Sequence, residues 1–144
     1  MVREEKVLEA LNRAPLFQSL GRRKLQGLAK RFVDRTYEAG EQIVTQGKGG
    51  EGFFFITSGK AEAVREGPDG EKTTVNTFGP NDFFGELALL DDGPRTASVI
   101  ATEPTECLVL TRWDFLSSLR DDADAAVKVL QEVARRFRVA LETL

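Results

Sequence analysis

The residues with the most chemical content fall in one stretch, Phe84-Gly85-Glu86-Leu87-Ala88-Leu89-Leu90-Asp91-Asp92-Gly93-Pro94-Arg95-Thr96-Ala97-Ser98-Val99. Gly85–Leu90 reads as a single helical turn between two strands. A glycine at its start relaxes the backbone and lets it approach a ligand closely. The first N–H groups of a helical turn have no internal partner and attract anions. Asp91–Pro94 then makes a turn, after which the Arg95 guanidinium can come back to the same spot, so that a turn N-terminus and a guanidinium together suit a phosphate. Glu86 sits in that first turn. Its carboxylate would repel a phosphate unless aimed elsewhere, and a sugar hydroxyl is the obvious donor for it. Taken singly, each residue has an ordinary explanation. Arg95 suits a solvated charge, Glu86 a favourable N-terminal helix charge, and Thr96 and Ser98 suit a strand. The combination is far more specific than its parts.

The rest of the composition removes several alternatives. The chain of 144 residues has no histidine, which excludes Ser-His and Cys-His catalysis and the usual zinc sites. Cys107 is the only cysteine, so no internal disulfide or cysteine metal cluster can form, and its strand-like setting reads as a small buried hydrophobe. A formal net charge of -3 argues against a globally basic nucleic-acid surface. The N-terminus lacks a signal-peptide core, and no apolar run approaches the ~20 residues of a spanning helix, so the expectation is a cytoplasmic protein without a membrane segment.

These residues have to be positioned by the elements around them. Val7, Leu8 and Leu11 recur at helical spacing until Pro15, and Leu25, Leu28, Ala29 and Phe32 mark a second short helix. From Val33 the pattern changes to short β-rich runs near Val33–Tyr37, 42–45, 52–57, 60–65, Lys72–Phe78, 96–101 and 106–111. Glycine and proline divide them, at Gly47-Lys48-Gly49-Gly50 and Gly67-Pro68-Asp69-Gly70 among others. Many short strands with regular turns indicate a sandwich or barrel. A short helix over 113–119 and a longer one over 123–144 close the chain. Val127, Leu130, Ala134, Phe137, Leu141 and Leu144 step by three or four along the latter, a heptad seam. One domain is expected over 1–144, with helices over 1–32, strands over 33–111 and helices over 112–144.

The stretch Phe84–Val99 resembles, without a gap, the phosphate-binding cassette of the cyclic-nucleotide-binding domain family, especially that of the protein kinase A regulatory subunits. Gly40-Glu41-Gln42-Ile43-Val44-Thr45-Gln46-Gly47 and Phe53-Phe54-Phe55-Ile56-Thr57-Ser58-Gly59 are similar to the same family. The C-terminal helix, including Ala134-Arg135-Arg136, resembles that of the catabolite activator sensor domains. The resemblance implies an α+β fold, an eight-stranded double-sheet jelly roll flanked by N-terminal helices and a long C-terminal helix. It implies cAMP or cGMP as ligand, with a slight lean to cAMP, and no metal or other cofactor. Arg95 would pair with the cyclic phosphate and Glu86 would accept from the ribose 2′-OH. Backbone N–H groups around Gly85, Leu87 and Ala88 would hold phosphate and ribose oxygens. Thr96 would make a phosphate or base contact, and Val44, Ala63 and Val75 would form the apolar wall of the base pocket. Two departures stand out. The chain stops at Leu144, so no helix-turn-helix domain is expected in it. Ala140 and Leu141 occupy positions where the catabolite activators carry polar side chains that bond the base.

Three function classes compete on these grounds. The first is a ligand-responsive sensor that signals to an effector protein through its C-terminal helix, whose apolar seam is covered either by its own domain or by a second copy in a homodimer. The second is a jelly-roll adaptor with a vestigial pocket, against which the intact Arg95 and Glu86 argue. The third is a cupin-type enzyme, which the absence of histidine disfavours.

Overall fold

The computed structural model describes residues 2–49, 51–91 and 93–144. Met1, Gly50 of the expected 47–50 turn and Asp92 of the expected 91–94 turn lie outside the described residues. The backbone divides into two compact units, one formed by residues up to Arg31 together with Trp113–Leu144, the other by Phe32–Arg112.

The first unit is helical. It comprises α1 (Val2–Arg13), α2 (Pro15–Gln18), α3 (Arg22–Ala29), α4 (Arg112–Arg120) and α5 (Ala123–Glu142). Pro15 ends the α1 periodicity by opening a new helix at its first position, where the missing N–H costs nothing. The periodic pattern extends to Phe32, but α3 ends at Ala29. Phe32 belongs to the second unit, its ring 6.1 Å from that of Phe53. Phe17 and Phe115 meet edge to face at 5.5 Å. Asp122 caps α5 by accepting from the Ala125 N–H at 3.0 Å, and that bond, with Lys24 Nζ at 3.4 Å, holds its carboxyl below the ordinary aspartate range. One face of α5 is covered at Ala125 and Val129. The heptad positions Val127, Leu130, Ala134, Phe137 and Leu141 are exposed, Phe137 to 63%. The helix stops at Glu142, two residues short of the expected end, with Thr143 as its C-cap.

The second unit is a pair of four-stranded antiparallel sheets. Its strands are β1 (Val33–Tyr37), β2 (Gln42–Val44), β3 (Gly52–Ser58), β4 (Ala61–Glu66), β5 (Lys72–Phe78), β6 (Phe83–Phe84), β7 (Ser98–Ala101) and β8 (Thr105–Thr111). One sheet has the order β1-β8-β3-β6 and the other β2-β7-β4-β5. This is the eight-stranded double-sheet jelly roll that the resemblance implied, with helices before and after it in the chain. The alternation of the strands accounts for the core. Phe54 and Ile56 of β3, Cys107 and Val109 of β8, Ala61 and Ala63 of β4, Val44 of β2 and Val99 of β7 form one buried cluster. β3 and β8 carry apolar residues on both faces, Phe53 and Phe55 being as buried as Phe54 and Ile56. The thiol of Cys107 is raised to about 12 by burial, as expected for a core residue.

Most strand ends fall within one residue of the sequence pattern, and the two larger departures bear on the site. β7 begins at Ser98, because the backbone bends at Thr96 and Ala97. β6 has only two residues, too short to show any period. It pairs Phe84 with Phe54 and Phe83 with Phe55, and the Phe54 and Phe84 rings stack at 4.9 Å, 5° from parallel.

Candidate functional site

The site begins where β6 ends. Gly85 adopts φ 88° and ψ 18°, the left-handed region, and caps a four-residue 3₁₀ turn, Glu86–Leu89. The expected helical turn is therefore present in its tighter form, with the Ala88 N–H donating to the Gly85 carbonyl at 3.1 Å and the Leu90 N–H to Leu87 at 3.0 Å. The Ala88 amide is thus engaged within the turn. Glycine is required at position 85 for two reasons. Its φ is unfavourable for any residue with a Cβ, and a Cβ there would run into the Gly52 carbonyl oxygen and lie 2.8 Å from Nη1 of Arg95. The cassette glycine and the cassette arginine are therefore in close apposition.

Arg95 reaches this position from a segment with little regular structure of its own. Its backbone is laddered against the loop after β2, with the Gly47 N–H donating to the Arg95 carbonyl at 2.8 Å and the Arg95 N–H to the Lys48 carbonyl at 2.9 Å. Its side chain turns inward. Nη2 donates to the Gly52 carbonyl at the start of β3 at 2.9 Å. The guanidinium carbon lies 6.0 Å from the centroid of the Phe54 ring, at the edge of cation–π range. Nε is buried, with no hydrogen-bond partner among the described residues. Burial pulls the Arg95 pKa down, against which the Glu51 carboxylate acts to raise it. A guanidinium with five donors in a fixed fork thus has one donor engaged by a neutral carbonyl and another buried and unpaired among the described residues.

The remaining candidate residues are distributed less evenly. Glu86 is half-buried at the first position of the turn. Leu87 is largely exposed beside it. Thr96 is exposed, and its carbonyl accepts from Nε of Arg65 at 3.3 Å. Val44 and Ala63 both pair with Val99 of β7, one from each side, and are packed into the core cluster that contains Phe54. Val75 differs. The pairing of β4 with β5 slips between Ala63–Asn76 and Val64–Thr74, leaving Val75 as the bulged residue on an edge strand, 44% exposed and outside that cluster.

Several neighbours of the site were not singled out by sequence. Gly52, Phe54 and Glu51 surround the guanidinium, and Gln46 and Arg65 tie its segment to β4. The alternation Ala61, Ala63, Arg65 on β4 carried a signal for Arg65. Nothing local marks a carbonyl such as that of Gly52 as a partner. Among the described residues no group of three or more His, Cys, Asp or Glu side chains could hold a metal ion.

Comparison with known proteins places this geometry among relatives. Residues 34–122 match the family model described as the cyclic nucleotide-binding domain. The chain is 36% identical over 127 residues to the cyclic AMP receptor protein of Thermus thermophilus, covering 88% of this chain and 59% of that protein. It is 31% identical over 130 residues to the CRP-like cAMP-activated global transcriptional regulator of Mycobacterium tuberculosis, covering 90% of this chain and 58% of that protein. The chain therefore spans somewhat under two thirds of the length of these relatives. Among solved structures it is similar to the N-terminal domain of a transcriptional regulator from Streptomyces coelicolor, with a TM-score of 0.82, 31% identity and 94% of each chain covered. It also resembles the regulatory domain of Toxoplasma gondii PKA with cAMP, with a TM-score of 0.73, 30% identity, and 85% and 47% of the two chains covered. These relatives are regulators by name, not enzymes. No helix among the described residues is long and apolar enough to cross a membrane.

Substituting alanine at two left-handed glycines separates the requirement for φ from that for space. Gly40 has φ 89° and nothing within 4 Å of a built Cβ, whereas Gly85 has both the φ and the crowding. Gly40→Ala should cost about 1 kcal/mol in urea denaturation and Gly85→Ala about 2–3 kcal/mol. Equal costs at the two positions would contradict the apposition of Gly85 and Arg95.

Proposed function

Because the chain belongs to the cyclic nucleotide-binding domain family, we propose that it is a sensor whose ligand is cAMP or cGMP, with Arg95 as the anchor of the cyclic phosphate. The observation that carries this reading is the buried, unpartnered Nε of Arg95 beside Gly85. A cation partly withdrawn from water, with the Glu51 carboxylate nearby and one neutral acceptor among the described residues, still has a buried donor open. A singly charged cyclic phosphate can accept from two guanidinium nitrogens at once, which would satisfy both the charge and the open donor. Gly85, lacking a side chain, lets the guanidinium and the Gly52 carbonyl come against the turn. Two relatives carry cAMP in their names, which supports the ligand class without deciding the base.

In this reading Glu86 accepts from the ribose 2′-OH, and amides of the Gly85–Ala88 turn, including that of Leu87, hold phosphate and ribose oxygens. Val44 and Ala63 supply apolar wall to the base, Val75 covers it from the edge strand, and Thr96 lies beside the phosphate or base. Truncating one partner of a desolvated charge pair costs about 2–5 kcal/mol, and each 1.4 kcal/mol is about tenfold. Arg95→Ala should therefore weaken calorimetric binding about 30-fold or more, and Arg95→Lys should restore only part of it. The 2′-deoxy ligand should bind the parent less tightly than the normal ligand and lose that disadvantage in Glu86→Ala. An Arg95→Ala variant within threefold of the parent would remove the anchor assignment.

The output in this reading is α5. Its exposed seam of Val127, Leu130, Ala134, Phe137 and Leu141 has the spacing of a two-helix contact, so we assign it to a homodimer that presents the sensor to its effector protein. Phe137→Glu should convert a dimeric parent to monomer in light scattering and change its ligand affinity. A parent that is monomeric with and without ligand would contradict the dimer.

A further inference from the structure

The loop that holds Arg95 in place is chemically a poor choice for the task. It runs through Gly47, Lys48 and Gly49, with Gly47 at φ 83°, and these residues are exposed. Glycine-rich exposed segments have many conformations to lose, so a binding residue laddered on one is held no better than the loop itself. Yet both backbone bonds that fix the Arg95 peptide units end on this loop, at Gly47 N–H and Lys48 carbonyl. β7 gives no help, since its regular pairing begins only at Ser98.

Gln46 supplies what the loop lacks. Its side-chain amide donates through Nε2 to the Glu66 carbonyl at 2.9 Å and accepts at Oε1 from the Glu66 N–H at 2.7 Å. Its own backbone N–H donates to Ser98 Oγ at 2.9 Å. A primary amide carries one acceptor and donors in the geometry of a peptide unit, so the Gln46 side chain extends the sheet by one rung, pairing with the last residue of β4 as a strand would. A carboxylate lacks the donor, an ammonium lacks the acceptor, and an apolar side chain lacks both. The same residue forms a parallel bridge with Arg95. The loop after β2, the end of β4 and the segment before β7 are therefore joined at one side chain. The other tie to β4, Arg65 Nε to the Thr96 carbonyl, is a single bond at 3.3 Å against the two shorter bonds of Gln46 and is the weaker of the two.

We infer that Gln46 is a positioning residue for the anchor. It touches no ligand atom, and it fixes the 46–48 loop so that Arg95 is held ready before ligand arrives. The inference rests on the assignment of Arg95 above and goes beyond it by naming what makes that residue preorganised. Its sign is definite. With Gln46 intact the ordering cost is met on folding, and without it that cost falls on binding.

Gln46→Met keeps the length and volume of the side chain and removes both bonds to Glu66. Two measurements on this variant and the parent test the inference. Hydrogen exchange on the ligand-free proteins should show the Gly47 and Arg95 amides losing about tenfold in protection, with the Val33–Tyr37 ladder unchanged, the loss expected for one or two neutral hydrogen bonds. Calorimetric titration with cAMP and with cGMP should show affinity weakened about fivefold. A residue that only stabilises the fold would leave affinity in the folded variant untouched. Loosened Gly47 and Arg95 amides with parental affinity would overturn the inference and leave the Arg95 assignment standing. Unchanged protection of those two amides would overturn it as well. A parent that binds neither nucleotide would instead remove the ligand reading, and this inference with it.

Discussion

The structure turns on a guanidinium that is partly withdrawn from water without a full set of partners among the described residues. Arg95 gives one donor to the Gly52 carbonyl, faces the edge of cation–π distance to Phe54, and leaves Nε buried and unpaired. Burial of a charge is tolerated only where something else requires it. Here the neighbouring carboxylate of Glu51 favours the charged form, and the desolvation opposing it is the larger effect on the pKa of Arg95. The rest of the second unit can be read as the framework that keeps this unfavourable arrangement in place.

That framework draws on both sheets. β3 offers the Gly52 carbonyl from its first residue and Phe54 from its inner face. Phe54 in turn stacks on Phe84, the last residue before Gly85. The two-residue strand β6 is therefore sufficient to register the 3₁₀ turn against β3, because ring stacking adds to its short hydrogen-bonded pairing. From the other sheet, β2 and β4 meet at Gln46, and the loop between β2 and β3 carries the backbone of Arg95. Glycine is needed where these pieces crowd. At Gly85 any Cβ would fall on the arginine it accompanies.

Much of this was legible in the sequence, for physical reasons that differ from element to element. β4 was visible because one face of it is buried, β3 and β8 because they are apolar on both faces, and β5 from its threonines and its flanking glycines although it lies exposed at an edge. The α5 periodicity was visible as well, but the seam it picks out lies on the exposed side of that helix and not on the side covered at Ala125 and Val129. Arg95 and Gly85 stood out because their residue types are unusual together at that spacing. The carbonyl of Gly52 and the ladder to Lys48 left no trace, since backbone groups carry no side-chain signature and their partners are more than 40 residues away. Val75 shows the limit in the other direction. The resemblance made it part of a pocket wall, but its place as a bulged residue on the exposed edge strand comes from a one-residue slip in the β4–β5 pairing. A bulge of that kind depends on the register of two strands and not on the residue itself.

The central claim is that the open Nε donor of Arg95 is completed by a cyclic phosphate. Nitrogen–proton correlation spectra of the arginine side chains test it most directly. The Arg95 Nε–H resonance is assigned by its loss in Arg95→Lys and followed during titration with cAMP and cGMP. The account predicts a downfield proton shift and slowed solvent exchange for that one resonance as a charged hydrogen bond forms. An Arg95 Nε–H signal that does not move while either nucleotide saturates the protein would contradict it.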